Sequence, residues 1–377
     1  MRRWDIFCAV VDNYGDIGTC WRLAQQLADE HEAEVRLWVD RLESFACLCP
    51  SISINSKTQH VGSIEVRRWG ADISEVNVAD VVIEAFACEL PASYINAMAR
   101  RAQSPVWINL EYLSTEAWVD ECHLLASPHP RLPLTKHFFF PGFTPQTGGL
   151  LRERHLRATR AAFDLATAAE FRWSLNVAPP TDGELLVSLF CYDNPALPEL
   201  LQCWVDGPDA VRVLATPGAA TDQLEAWFGA ALSTGSSLHR GALTVHALPF
   251  LPQPDYDRLL WSCDVNFVRG EDSFVRAQWA MRPFVWQIYP QTEQAHLVKL
   301  EAFLLRYLSE SGEAEVVRRC WHAWNDHDRR DAGDMAIAWR AFAANRQSLA
   351  QHGKVWANLL DRPSDLANNL VRFVQGK

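Results

Sequence analysis

The stretch from Ile6 to Gly18 leaves this chain few ways to fold. An apolar run, Ile6 to Val11, is short enough for one buried strand. It gives way abruptly to Asp12, Asn13, Tyr14, Gly15, Asp16, Ile17 and Gly18. Apolar residues then recur with helical spacing at Cys20, Trp21, Leu23, Ala24 and Leu27. Strand, glycine turn and helix in that order begin a βαβ unit. In an open parallel sheet, such a loop lies at the carboxyl ends of the strands, where ligands bind. It also carries two carboxylates, which are costly to desolvate beside each other. The plainer alternative is a turn at Asp12 and a helix cap at Asp16.

The alternation continues through the first half. Strands are expected at Val35–Val39, Ile64–Val66, Val81–Ile83 and Val106–Leu110, and helices at Thr19–Glu30, Leu42–Pro50 and Ala92–Arg101, the last opened by Pro91. Ser51–Gly62 reads as a polar loop. Strands alternating with helices at this spacing mean a parallel sheet with helices on both faces. Polar residues collect at the strand ends: Glu84 and Glu89, then Glu111 and Tyr112. For Glu84 a helix cap is the simpler role. Residues 127–149 break the pattern, with Lys136, His137 and four aromatic rings in eight positions. They read either as the lip of a ligand site or as a packed linker. Helical periodicity resumes from Arg154 to Trp173.

The second half repeats the alternation, with strands at Leu185–Phe190, Val211–Leu214, Leu243–Ala247, Val265–Val268 and Pro283–Gln287. Its focal point is Arg269-Gly270-Glu271-Asp272-Ser273. Gly270 permits close backbone approach. The following helix start presents unpaired amides suited to a phosphate, with Ser273 as a cap. Arg269 offers a fork of donors to a diphosphate. Glu271, an anion beside that site, is placed for a sugar or a loop contact. Neither GxxxxGK[ST] nor GxGxxG is present. The last stretch, Trp356–Phe373, reads as one amphipathic helix.

Composition narrows the function. At 377 residues two domains are expected, and 49% hydrophobic residues suffice for their cores. A net charge of -11 disfavours general nucleic-acid binding and suits a basic protein partner. No apolar run is long enough to span a bilayer, and Met1–Asp5 lacks the features of a signal peptide. The ten cysteines are scattered through apolar runs, as in a reduced cytosolic protein. Cys47 and Cys49 stand too close for a zinc site, so no metal site is expected.

Two stretches together resemble a known family. DNYGDIG at 12–18 and FVRGEDSFVRAQWAMRPFVWQIYPQTEQAHLVKL at 267–300 are similar to bacterial protein-arginine rhamnosyltransferases of the EarP family. The likeness extends over essentially the whole chain. It implies an α/β chain with the GT-B fold, two Rossmann-like domains facing a central cleft. The first domain, 1–153, would bind the acceptor and be completed by a C-terminal helix at 356–377. Residues 154–183 would be a linker, and 184–345 the nucleotide-sugar domain. The resemblance further implies inverting, metal-independent transfer of L-rhamnose from dTDP-β-L-rhamnose to an arginine of translation elongation factor P, in the cytoplasm and with no cofactor. The modified factor supports translation of polyproline stretches. By position, Asp16 matches the general base, Asp12 its supporting carboxylate and Glu271 a third essential carboxylate. Phe190, Tyr192, Phe250 and Gln253 match residues holding thymidine and its sugar. Arg269, Gly270, Asp272 and Ser273 match the diphosphate run. Asn13, Tyr14, Gly15 and Tyr289 complete the donor contacts. Met281 stands where a small residue such as glycine is expected. The residues alone leave open a non-catalytic module binding a nucleotide or the factor, and a glycosyltransferase with a small-molecule acceptor.

Overall fold

A computed structural model of the chain describes residues 2–12, 14–70, 73, 77–291, 295–309, 311–326 and 334–377. The chain forms two compact units, Met1–Arg154 with Asp361–Lys377, and His155–Leu360.

Among the described residues the first unit holds eight strands: β1 (Arg3–Cys8), β2 (Glu34–Val39), β3 (Thr58–Val61), β4 (Ile64–Arg68), β5 (Val81–Ala85), β6 (Val106–Leu110), β7 (Ala126–Pro128) and β8 (Thr135–Phe139). They lie in the order β3-β4-β2-β1-β5-β6-β8-β7. The interior pairs are parallel, with antiparallel hairpins β3/β4 and β7/β8 at the edges. Both faces are buried. Along β1, Trp4, Ile6 and Cys8 pack with Leu23, Leu27 and Leu370 on one side. Phe7 points the other way, against Trp38, Tyr94 and Met98. This is the period of two expected of a strand covered on both faces.

β1 begins earlier than its apolar run because it contains a buried charge. Asp5 sits opposite Arg36 in the parallel register and accepts from it twice, both at 2.6 Å. The Tyr94 hydroxyl also donates to Asp5, and Arg36 donates to Asn77 O at 2.7 Å. A charge pair satisfied in this way tolerates a strand interior. The strand also ends early, because Val10 donates its amide to Asp40 Oδ1 at 2.9 Å.

The second unit holds β9 (Leu185–Leu189), β10 (Val211–Ala215), β11 (Ser237–Arg240), β12 (Leu243–Ala247), β13 (Val265–Arg269) and β14 (Phe284–Gln287), in the order β11-β12-β10-β9-β13-β14. All pairs are parallel except the β11/β12 edge hairpin. One face packs Leu186, Leu214 and Leu259. The other buries Trp204, Phe267, Trp324 and Trp339 as edge-to-face and tilted rings.

Several segments differ from expectation. The polar stretch 51–62 contains β3, and the aromatic stretch 127–149 takes in the end of β7 and all of β8. Residues 154–183, expected as a linker with helical periodicity from Arg154 to Trp173, do carry the helices Leu156–Ala162 and Leu165–Ser174, but Phe171, Leu175 and Val177 join the core beside Leu186. Residues 356–373 are not one helix. Arg346–Leu360 ends in the second unit, whereas Leu366–Gln375 belongs to the first. Pro363 lies between them, where no helix can run through it unbroken. Asp365 starts the second by accepting from the Asn368 amide at 3.0 Å.

Candidate active site

In each unit one strand has neighbours that run off in opposite sequence directions. β1 lies between β2 and β5, and β9 lies between β10 and β13. A doubly wound sheet opens a crevice at the carboxyl end of such a switch point. Both marked loops sit there.

In the first unit, β1 leads into a turn closed by the Gly15 amide on Asp12 O at 2.7 Å. The helix Gly15–His31 starts at once. Asp16 is 2% exposed. Its Oδ2 accepts from the Val11 and Asp12 amides at 2.8 and 2.9 Å, and its Oδ1 from the Tyr112 hydroxyl at 3.2 Å. Asp16 is the second residue of the helix and not its cap; it ties the helix start back to the loop that carries Asp12. The Asp12 carboxylate folds over Gly15, where an added Cβ would lie 2.8 Å from its Oδ2. Any side chain there would have to push that carboxylate aside. Tyr14 is half-buried just before the helix. Asn13 lies outside the described residues.

The ends of β5, β6 and β8 complete this edge. Phe86 and Ala87, directly after β5, both have positive φ, 56° and 54°. Left-handed backbone at a non-glycine residue costs roughly 1–2 kcal/mol. The Phe86 amide donates to Leu110 O at 2.7 Å, and its ring stacks on Tyr112, centroids 4.4 Å apart at 16°. Glu84 is not a cap. It is buried, and it accepts from Trp107 Nε1 and Lys136 Nζ, each at 3.2 Å. Lys136 also lies over the Trp107 ring, 5.0 Å from its centroid, so this part of the 127–149 segment is packing. Burial holds the Glu111 carboxyl above its ordinary range, although Asn109 donates to it.

In the second unit the carboxyl ends of β9, β12, β13 and β14 supply every residue assigned by resemblance. Arg269 ends β13. Its guanidinium lies 4.4 Å from the Phe190 ring and 4.3 Å from the Tyr192 ring, and it donates to Cys191 O at 3.3 Å. Cation–π contacts on two rings, both from the β9 loop, preset this cation. Gly270 has φ 60°, a conformation natural to glycine, and its carbonyl accepts from Trp286 Nε1 at 2.8 Å. Ser273 does not cap the helix Asp272–Ala280. Its hydroxyl is tied to the Arg269 backbone, accepting from the amide at 3.0 Å and donating to the carbonyl. Glu271 occupies the cap position, yet its carboxylate makes no capping bond. Gln253, the first residue of its helix, donates to Asp272 Oδ2 at 3.3 Å. Half-buried Phe250 precedes it after β12, and Tyr289 meets Tyr192 edge-on at 5.4 Å. Burial pushes the Cys191 thiol up to about 12, which leaves it inert as a nucleophile.

Two supporting residues escaped the sequence reading. Gln287 is fully buried at the end of β14. It accepts from the Tyr192 amide at 2.8 Å and donates to Asp193 O at 3.3 Å, pinning the β9 loop. Asn325 accepts from the Ile288 amide at 3.0 Å and so fixes the chain before Tyr289. The signal for Gln287 was a lone amide closing an apolar strand. Nothing in the sequence near Asn325 linked it to this loop. Among the described residues, no three His, Cys, Asp or Glu side chains gather as a metal site, and no helix is long and apolar enough to cross a membrane.

Two Rossmann-like units, each with a polar loop at its switch point, define the GT-B glycosyltransferase fold. A solved structure from work on the structural basis for EarP-mediated arginine glycosylation of translation elongation factor EF-P is 35% identical, covers 100% of both chains and superposes with a TM-score of 0.70. Protein-arginine rhamnosyltransferases of Pseudomonas putida and Pseudomonas aeruginosa are 49% and 47% identical, the first over 98% of both chains and the second over 99% of both. The model of the family described as Elongation-Factor P (EF-P) rhamnosyltransferase EarP matches residues 4–375, and the chain belongs to that family.

Proposed function

We propose that this chain transfers L-rhamnose from dTDP-β-L-rhamnose to an arginine side chain of translation elongation factor P, in the cytoplasm, and so supports translation of polyproline stretches. The reading rests above all on one observation: the chain matches this family from end to end, through both marked loops. The geometry is consistent with it. A guanidinium stays protonated in water, and its nitrogen lone pairs are delocalised. A carboxylate must hold it and take a proton as the nitrogen attacks. Asp16 takes the proton, and Asp12 aligns the side chain. The new bond joins nitrogen to the anomeric carbon while the bond from that carbon to the diphosphate oxygen breaks. One displacement inverts the anomeric centre.

The leaving dTDP keeps the electron pair. Arg269 and the amides at the start of the helix Asp272–Ala280 balance its charge without a metal. Phe190, Tyr192, Phe250 and Gln253 hold the thymidine and its sugar, with Tyr289 beside them. Glu271 orients the reacting sugar or the acceptor. The test is dTDP release followed with donor alone, with donor plus the factor, and with both in excess chelator. Release is expected only when the factor is present, and it should persist in chelator. Equal release without the factor would contradict the protein acceptor. Loss in chelator, restored by magnesium, would contradict the metal-free step.

A further inference from the structure

We propose that Tyr112 is a positioning residue for this transfer, which rests on the reading of Asp16 as the base. The Tyr112 hydroxyl fixes the Asp16 carboxylate, and Phe86 in turn fixes Tyr112. Asp16 Oδ2 is anchored by two backbone amides. Two bonds to one oxygen locate the group but leave its plane free to swing about that oxygen. The Tyr112 hydroxyl on Oδ1, at 3.2 Å, removes that freedom. It acts on the oxygen that the amides leave for the incoming proton. A hydroxyl both donates and accepts. When Oδ1 takes the guanidinium proton, the hydroxyl can turn and accept from it, so the contact survives the step.

Tyr112 is 42% exposed, so its ring needs support. Phe86 supplies it by stacking at 4.4 Å. That stack depends on two successive non-glycine residues in left-handed backbone, Phe86 and Ala87. The two residues are the centre of a tight turn that closes β5, with the Cys88 amide on Ala85 O at 3.1 Å, and Phe86 also packs against the core. Backbone strain maintained by its surroundings is concentrated at working sites. The amide of Phe86 on Leu110 O ties the two strand ends a second time, two residues before Tyr112. Strands β1, β5 and β6 are consecutive neighbours in the sheet, so base, support and buttress come from adjacent strand ends.

The test is Tyr112→Phe, which keeps the ring and loses the hydroxyl. The expected result is a fall in kcat of about tenfold, the worth of one hydrogen bond to a charged group. The KM for the protein acceptor, the affinity for dTDP-rhamnose and the thermal melt should stay unchanged. Phe86→Leu keeps an apolar side chain and loses the stack, and a smaller fall confined to kcat is expected. The double variant should be no slower than Tyr112→Phe alone, since Phe86 acts through that hydroxyl. Wild-type kcat in Tyr112→Phe, a change in KM alone, or losses that multiply would each overturn the proposal. If Phe86→Leu does not fold, Tyr112→Phe decides alone. Asp16→Asn is measured in parallel to separate the two readings. Near-normal turnover there overturns Asp16 as base and Tyr112 with it. An inactive Asp16→Asn beside a fully active Tyr112→Phe overturns the positioning role only.

Discussion

Gly15 is where a single atom separates fold from function. Alanine is a better helix former than glycine by about 1 kcal/mol, and position 15 opens a helix. Its Cβ, however, would meet Asp12 Oδ2 at 2.8 Å. Gly15→Ala should therefore leave the melting temperature level or raised while displacing the Asp12 carboxylate. A turnover loss on the order of tenfold or more is expected, as for misplacing a group that aligns the nucleophile. Turnover measured beside a thermal melt checks this, and unchanged turnover would remove Asp12 from the reaction. At this scale the sequence was informative. Carboxylates and glycines in the loops could be named because their chemistry is local to the chain. What holds them was not legible. Tyr112 on Asp16, Gln287 on the Tyr192 amide and Asp5 on Arg36 are contacts between strands distant in sequence. Ser273, expected as a cap, is turned back to the Arg269 backbone, an outcome set by the tight turn at Gly270.

At the scale of elements, two helix ends make measurable claims. The helix Asp272–Ala280 terminates at Met281 in left-handed backbone, φ 57°. The residue that looked out of place in the sequence thus occupies a position natural to glycine. Met281→Gly should stabilise the second unit by about 0.5–1 kcal/mol, the strain relieved less the burial lost. A lower melting temperature would contradict this. The short helix Trp118–Cys122 is followed by His123, whose Nδ1 accepts from the Phe140 amide at 3.1 Å. Burial lowers its pKa to about 4, and the nearby Asp120 opposes the shift only in part. An imidazolium cannot accept that bond. The unfolded histidine titrates near 6.5, so this contribution is complete above that pH. It is lost as pH falls from about 6.5 towards 4, with an upper bound of about 3 kcal/mol for a half-buried group. Denaturant melts across that range should show the slope, and His123→Asn should flatten it. Long strand and helix alternation was legible throughout. The edge hairpins were not, because β3 is mostly polar and β8 mixes polar and aromatic residues, and both are held by pairing rather than by an apolar run.

For the whole molecule, the prediction concerns the form of the acceptor. At the carboxyl edge of the first unit's sheet, Val11 and Tyr112 next to the carboxylate loop, and Trp118, Leu124 and Leu125 beside β7 and β8, are exposed large apolar side chains. The chain's net charge is -11. Such an edge suits a folded, basic surface that presents one arginine already ordered, since a linear peptide must first lose its conformational freedom. Transfer to the folded acceptor domain should exceed transfer to a peptide of the same sequence by at least about tenfold in kcat/KM, and equal rates would refute recognition of a folded surface. The central claim is tested most directly by weighing the elongation factor after incubation with the enzyme and dTDP-β-L-rhamnose, then mapping the modified residue, with Asp16→Asn alongside. The expected result is one added deoxyhexose on one arginine, and none with a well-folded Asp16→Asn enzyme that still binds the donor. An unmodified factor, a sugar on another residue type, or full modification by Asp16→Asn would contradict it.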